Sequence, residues 1–203
     1  HAQGMRQVLA PCIDVVRDLR WGRVEESYGE DPYLCGIFAR SEVKGYLDSG
    51  ISPMLKHYGP HGNPLGGLNL ASVDCGVYDL HAVYLKPFEM VLRHLPVYAV
   101  MSTYNSWNRV PNSASRYLLT DILRNRWGFK GYVYSDWGAI EMLENFHHTA
   151  ANKAEAATQA LTAGLDVEAS SECYPELSRL VKEGKLEEAY IDTAVRRVLT
   201  PKF

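Results

Sequence analysis

The chain has 203 residues, 46% of them hydrophobic and 22% charged, with a formal net charge of −3. That composition is ordinary for a globular domain and gives no electrostatic footprint for nucleic acid or an anionic membrane surface. No apolar run reaches the roughly 18 residues of a membrane-spanning helix, and Cys12, Cys35, Cys75 and Cys173 are too dispersed for a zinc site or a disulfide framework.

No basic and apolar leader is visible near His1. The chain does not start with Met, so upstream sequence is expected and the compartment, extracytoplasmic or cytoplasmic, stays open. Residues 8–16, VLAPCIDVV, predict a buried strand that runs into a charged loop, RDLRWGRVEESYGEDP. A helix is expected over residues 33–47, with Ile37, Val43 and Leu47 facing inward and Gly50 closing it. Residues 51–58 predict the next strand, followed by a Gly- and Pro-rich loop.

A long helix is expected over residues 74–95, its apolar face formed by Leu80, Val83, Tyr84, Phe88, Val91 and Leu92, with a kink or a break into two pieces at Pro87. Residues 97–104 predict a strand, and residues 115–127 an amphipathic helix capped by Ser113 or Ser115. Residues 132–134 are a β-branched and aromatic run, read as a strand that stops at Ser135-Asp136. Helices over 139–146 and 152–163, a short strand over 165–169, and helices over 175–183 and 187–199 complete the reading.

Strand, loop and helix thus repeat about five times, which implies a parallel sheet covered on both faces. An open doubly wound sheet and a (β/α) barrel both fit. No G-x-G-x-x-G follows the first strand, which weakens a dinucleotide-binding sheet. Each candidate strand ends in polar residues: Asp14 with Arg17, Lys56 with His57, Tyr104 with Asn105, then Asp136 and Asp166. In a barrel these would meet around one rim. A full barrel needs eight strands and typically about 250 residues. The expected fold class is therefore α/β, an incomplete (β/α)8 TIM-like barrel over residues 1–203 that lacks its first strands.

Each candidate also has a plain structural role open to it. Ser135 and Asp136 suit a helix N-cap as well as a reactive carboxylate. Lys56 suits a structural ion pair, a ligand donor or the Schiff-base lysine of an aldolase-type barrel. His57 and His61 have helical metal-pair spacing, but Gly59 and Pro60 between them argue against a helix, and no metal is expected. Most acids around Arg23 read as loop-stapling ion pairs. Trp107 and Trp137 are flat apolar faces of the kind that stack on sugars or fill cores.

The blocks RDLRWGRVEESYGEDPYL, MLKHYGPHGNPLGGLN, VMSTYNSWNRVPN, LLTDILRNRWGFKGYVYSDWG and AGLDVE resemble glycoside hydrolase family 3, in the family's order across nearly the whole chain, and in particular its β-glucosidase branch. The resemblance implies a catalytic barrel followed by an α/β sandwich domain, a retaining mechanism and no cofactor. It implies Asp136 as the nucleophile, with Arg23, Lys56, His57 and Tyr104 holding the sugar. Trp137 matches a position close to the sugar, and Met101 is a candidate to line the same pocket. A glycoside or oligosaccharide is the implied substrate.

Three features depart from the family pattern. The acid/base glutamate usually lies in the second domain, which is expected beyond this chain, and Glu141, Glu144 and Glu168 have no context that fits the role. An upstream aspartate that contacts distal hydroxyls is also absent. Arg109 stands where the branch more often has Gly. The loop after Lys56-His57 lacks the Asp-Ser-His of the N-acetylglucosaminidases, which disfavours that branch. Alternatives to a β-glucosidase are thus a sugar-binding fragment without its acid/base, a β-xylosidase, or less readily an N-acetylglucosaminidase.

Overall fold

The computed structural model describes residues 3–202. Four parallel strands form the main sheet: β1 (Gln7–Val8), β2 (Ser52–Tyr58), β3 (Ala99–Ser102) and, beyond a small hairpin of β4 (Ser106–Trp107) and β5 (Val110–Pro111), β6 (Tyr132–Tyr134). Their order, β1-β2-β3-β6, follows the chain without reversal. A doubly wound sheet reverses its order at a switch point, whereas barrel winding does not. A parallel bridge from Tyr134 to Val167 continues the series.

The first and last expected strands are shorter than the apolar runs suggested. In the first, the regular ladder stops at Val8; beyond it the Ala10 and Pro11 carbonyls still accept the Met54 and Lys56 N–H groups, and a bridge joins Cys12 to Lys56. Pro11, between Val8 and Cys12, has no N–H to give to a ladder. Residues 165–169 contribute only the Val167 bridge, because Asp166 and Val167 both donate their N–H to the carbonyl of Val133.

Alternation along the strands divides the core. Met54, Ala99 and Met101 pack together on one face, with Tyr132 and Tyr134 against them. Leu55, Val100 and Val133 face the other way into the helical layer. Helix α1 (Pro32–Asp48) starts where the Asp31 carboxylate accepts the Leu34 N–H at 2.7 Å, and Pro32 follows at its first turn. Gly50 ends it with φ +70. Its buried stripe is Cys35, Gly36, Ala39 and Val43. Ile37, expected inside, is exposed. The helix is rotated so that Gly36 meets Met90, whose Sδ would lie 2.6 Å from a Cβ there.

The long helix expected over 74–95 is divided into α2 (Val77–Asp79), a π-helical stretch Leu80–Tyr84 and α3 (Lys86–Leu92). Pro87 lies in the first turn of α3, where its missing N–H costs nothing. Leu80, Tyr84, Phe88 and Val91 are buried as expected, while Val83 and Leu92 are half-buried. The next helix, Tyr117–Arg126, is also π-helical, and the Ser115 hydroxyl accepts the Leu118 N–H. Helix α4 (Met142–Asn145) is only a short piece of its expected range. Helix α5 (Lys153–Ala163) is capped reciprocally: Asn152 accepts the Glu155 N–H at 3.0 Å and Glu155 accepts the Ala151 N–H at 2.8 Å. Helices α6 (Glu176–Lys182) and α7 (Glu188–Leu199) close the chain. No helix of the described residues is long and apolar enough to cross a membrane.

Candidate active site

The carboxyl ends of β2, β3 and β6 and the loop after the first strand bring Asp14, Arg23, Lys56, His57, Tyr104 and Asp136 to one place. At β2 the pairing with β3 shifts register between Leu55 and Tyr58, where the Lys56–His57 peptide is cis. Such an irregularity re-aims side chains at the end of a strand.

Asp136 follows β6 and is 8% exposed. Its Oδ1 accepts the N–H of the adjacent Trp137 at 2.7 Å, while Oδ2 is buried without a hydrogen-bond partner. The helix-cap reading is not realised, since neither oxygen takes an amide of a following helical turn, and the Ser135 hydroxyl is spent on the Ala169 N–H. Burial raises the Asp136 carboxyl above its ordinary range, against the pull of His57, the Trp137 N–H, Arg23 and Lys56. His57 Nε2 lies 3.6 Å from Oδ2.

Arg23 organises the opposite wall. Its Nε and Nη2 form a two-pronged pair with Glu26 at 2.7 and 2.8 Å, Nη1 donates to the Tyr104 hydroxyl at 3.0 Å, and Nη2 meets His57 Nε2 at 3.1 Å. Glu26, expected as a mere loop staple, is thus part of the site's framework. Its other oxygen contact is Lys56 Nζ at 3.8 Å, beyond hydrogen-bond reach. Lys56 stands among carboxylates rather than in the apolar pocket that a Schiff-base lysine requires.

Tyr104 is tied from two sides. Arg23 donates to its oxygen, and so does Asn69 Nδ2 at 2.5 Å, while Asn69 Oδ1 accepts the indole N–H of Trp21 at 2.8 Å. Both lone pairs are then occupied, so the phenol proton is left for another acceptor. Burial raises the Tyr104 phenol, and the Asp136 charge adds to that. Asn69 had no signal in the sequence: it lies in an irregular Gly-rich loop with no period to expose it.

Behind His57, Asp14 accepts from three sides. Oδ2 lies 2.8 Å from His57 Nδ1 and 3.0 Å from the Cys12 thiol, and the His57 N–H reaches the two oxygens at 3.4 and 3.3 Å. Burial alone would raise this carboxyl, but the His57 and His61 rings and the Cys12 thiol hold it well below the usual range. The Cys12, Asp14 and His57 ligand atoms lie within 4.8 Å of one another, as metal ligands do. In this structure hydrogen bonds join them, the Cys12 thiol donating to Asp14, and burial pushes that thiol far above its ordinary value. The His61 ring lies 5.0 Å from that of His57, with its Nε2 buried and without a hydrogen-bond partner. Its Nδ1 is held by Thr103 and Asn105 at 2.9 and 3.2 Å, and burial takes the ring down to about 3.

Of the remaining candidates, Trp137 is 71% exposed on the rim next to Asp136. Met101 packs against Met54 and Ala99 within the inner face of the sheet. Trp107 is occupied structurally, its indole N–H on the Cys75 carbonyl and its ring stacked on Tyr117. The unusual Arg109 adopts φ +71 beside Asn108 at φ +48, the tight turn of the β4–β5 hairpin. A Gly would take that conformation freely. Among the glutamates with no fitting context, Glu168 accepts the Cys173 and Tyr174 N–H groups and Glu141 faces Lys153. Asp166 does not reach the rim: Arg124, Arg197 and the Val133 N–H occupy both its oxygens.

The family model described as the glycosyl hydrolase family 3 N-terminal domain matches residues 1–200. A periplasmic β-glucosidase of Salmonella typhimurium is 39% identical over 98% of this chain and 27% of its own length. A putative β-xylosidase of Formosa agariphila is 36% identical over 99% of this chain and 28% of its own. Among solved structures, the β-glucosidase of Listeria innocua superposes with a TM-score of 0.95 at 34% identity, over 99% of this chain and 29% of that one. The same enzyme is known in complex with glucose. The chain thus spans little more than a quarter of the length of these relatives.

Proposed function

The chain belongs to glycosyl hydrolase family 3, and on that premise we propose that it is the nucleophile-bearing barrel of a retaining, exo-acting β-glycosidase acting on terminal β-glucosyl residues. Asp136 is the nucleophile. Cleavage of an acetal builds positive charge at the anomeric carbon. A carboxylate beneath it stabilises that charge, then bonds to the carbon as the aglycone leaves. Arg23, Lys56, His57 and Tyr104 take the ring hydroxyls by charge-assisted and neutral hydrogen bonds, and the exposed face of Trp137 borders the sugar. A second carboxyl group about 5–5.5 Å from the nucleophile must protonate the leaving oxygen and later activate water. The Glu141 and Glu168 contacts leave neither poised for this; the family resemblance implies an acid/base in a further domain, and the chain spans only 27% of the length of its Salmonella relative.

The observation that carries this reading is Asp136 Oδ2: buried, without a hydrogen-bond partner, and flanked by the cationic and phenolic groups that a nucleophile and a bound sugar both need. The test uses the protein with all the sequence its gene encodes. A 2-deoxy-2-fluoro-β-glucoside with a good leaving group should label the peptide containing Asp136, and a label on any other carboxylate refutes the assignment. A second reading, a sugar-binding part with no turnover of its own, draws on the occupied glutamates. An activated aryl β-glucoside decides it for the 203-residue chain, since such a leaving group needs little protonation. Appreciable turnover by that chain removes the second reading.

A further inference from the structure

One buried acid in this site has no part in the chemistry just described. Asp14 sits at the carboxyl end of the first strand segment, two residues beyond the Cys12 bridge to Lys56. It grips His57 by the main chain and by the ring at once, through the N–H at 3.3 Å and Nδ1 at 2.8 Å on the same oxygen. At the far edge of the ring, Nε2 faces Arg23 Nη2 at 3.1 Å and Asp136 Oδ2 at 3.6 Å. We propose that Asp14 is a positioning residue of the glycosidase reaction: it fixes both the orientation and the tautomer of His57, so that Nε2 is presented to the sugar site. The inference rests on the glycosidase reading and deepens it.

The argument is one of donors and acceptors. A guanidinium has no acceptor, so in its contact with Arg23 the Nε2 atom of His57 accepts. The ring hydrogen then lies on Nδ1 and points at Asp14, which, as a carboxylate, can only accept. A ring turned over by 180° would put carbon against the Asp14 oxygen and lose that bond. The carboxylate thus selects one of two ring orientations and one of two tautomers. Nε2 is thereby fixed as the acceptor that anchors the Arg23 guanidinium at the edge of the sugar site, and a sugar hydroxyl reaches it only in place of that guanidinium. The Cys12 thiol at 3.0 Å occupies a further lone pair and holds the carboxylate itself in place.

A plain core role for Asp14 would predict lost stability and nothing more. The discriminating experiment is a double-mutant cycle on kcat/KM in the protein with all its encoded sequence. Asp14→Asn keeps the shape but replaces an acceptor-only carboxylate with an amide that can also donate, so it no longer dictates the ring's orientation and tautomer. Alone it should lower kcat/KM by at least about tenfold, and in a His57→Ala background it should change kcat/KM by less than about twofold, the non-additivity of residues acting as a unit. The same loss in both backgrounds, or wild-type kinetics in Asp14→Asn, overturns the proposal. Should the variant not fold, the wild-type protein with 15N-labelled histidine answers by NMR. An Nδ1–H signal for His57 supports the assignment, and an Nε2–H tautomer overturns it. Fluoro-glucoside labelling of wild-type Asp136 is scored separately, so a failure of the glycosidase reading is not confused with a failure of the Asp14 role.

Discussion

Asp136 and Asp166 are the same residue type at neighbouring positions of the sheet, linked through the Tyr134–Val167 bridge, and each is 8% exposed. Their surroundings differ in one respect. Asp166 has both oxygens bound, to Arg124 at 2.5 Å, to Arg197 at 2.9 Å and to the Val133 N–H at 2.8 Å. Asp136 has one oxygen bound to a local amide and one left bare. Burial disfavours the charge of both. At Asp166 two guanidinium groups answer it in contact, joining the strand end to the π-helix and α7. At Asp136 Oδ2 the nearest basic group is His57 Nε2, at 3.6 Å and beyond hydrogen-bond reach. A buried carboxylate whose lone pairs are all engaged is a fastener, and one with an unengaged lone pair is what the proposed nucleophile requires.

Asparagine at each position should separate the two most sharply. Asp136→Asn is expected to lower kcat on the order of 10^4-fold or more, while thermal stability stays level or rises because an ill-solvated charge is removed. Asp166→Asn leaves Arg124 and Arg197 facing a neutral amide and should cost roughly 3–5 kcal/mol, as breaking a buried pair does. Urea melts and steady-state kinetics on both variants check this. A large stability loss in Asp136→Asn would erase the distinction.

The pH dependence sharpens it further. The folded carboxyl of Asp136 titrates above its ordinary 3.8. The acid limb of kcat/KM should therefore lie above that value, and Lys56→Met should move it to higher pH, since Lys56 is among the groups that hold it down. Stability follows the opposite sign at the two site acids. As pH falls through the raised value toward 3.8, the native state takes up the Asp136 proton first, and this group's contribution to stability grows. Asp14, held below its ordinary 3.8, contributes stability above that pH and loses it as pH falls further. A limb that moves to lower pH in Lys56→Met would contradict the electrostatics. The smallest effect concerns the frame alone. Asn69→Ala removes one hydrogen bond from Tyr104 and one from Trp21, and should lower kcat/KM by roughly 2- to 12-fold, the worth of one ordinary hydrogen bond. Steady-state kinetics would show it.

The amino-acid order by itself determined the alternation of strands and helices, the parallel sheet, and the placing of Asp14, Lys56, His57, Tyr104 and Asp136 at one end of it, while Arg23 joined them through the family resemblance. Apolar runs bounded by Gly and charge mark buried strands, and a polar residue directly after such a run is set at the sheet's carboxyl end, although Asp166 shows that it need not face the rim. Three things were decided only in the folded molecule. The outer strands shorten where Pro11 breaks the ladder and where two amides share one carbonyl. Asp14 and Asn69 become supports of the site through partners 43 and 35 residues away, a separation no local pattern encodes, and Glu26 joins them through Arg23, three residues before it. Asp166, indistinguishable from Asp136 as a strand-end acid, turns away because two arginines from the helical layer reach it first. Secondary structure is set by neighbours along the chain, whereas the occupancy of a carboxylate's lone pairs is set by whatever the fold brings within 3 Å.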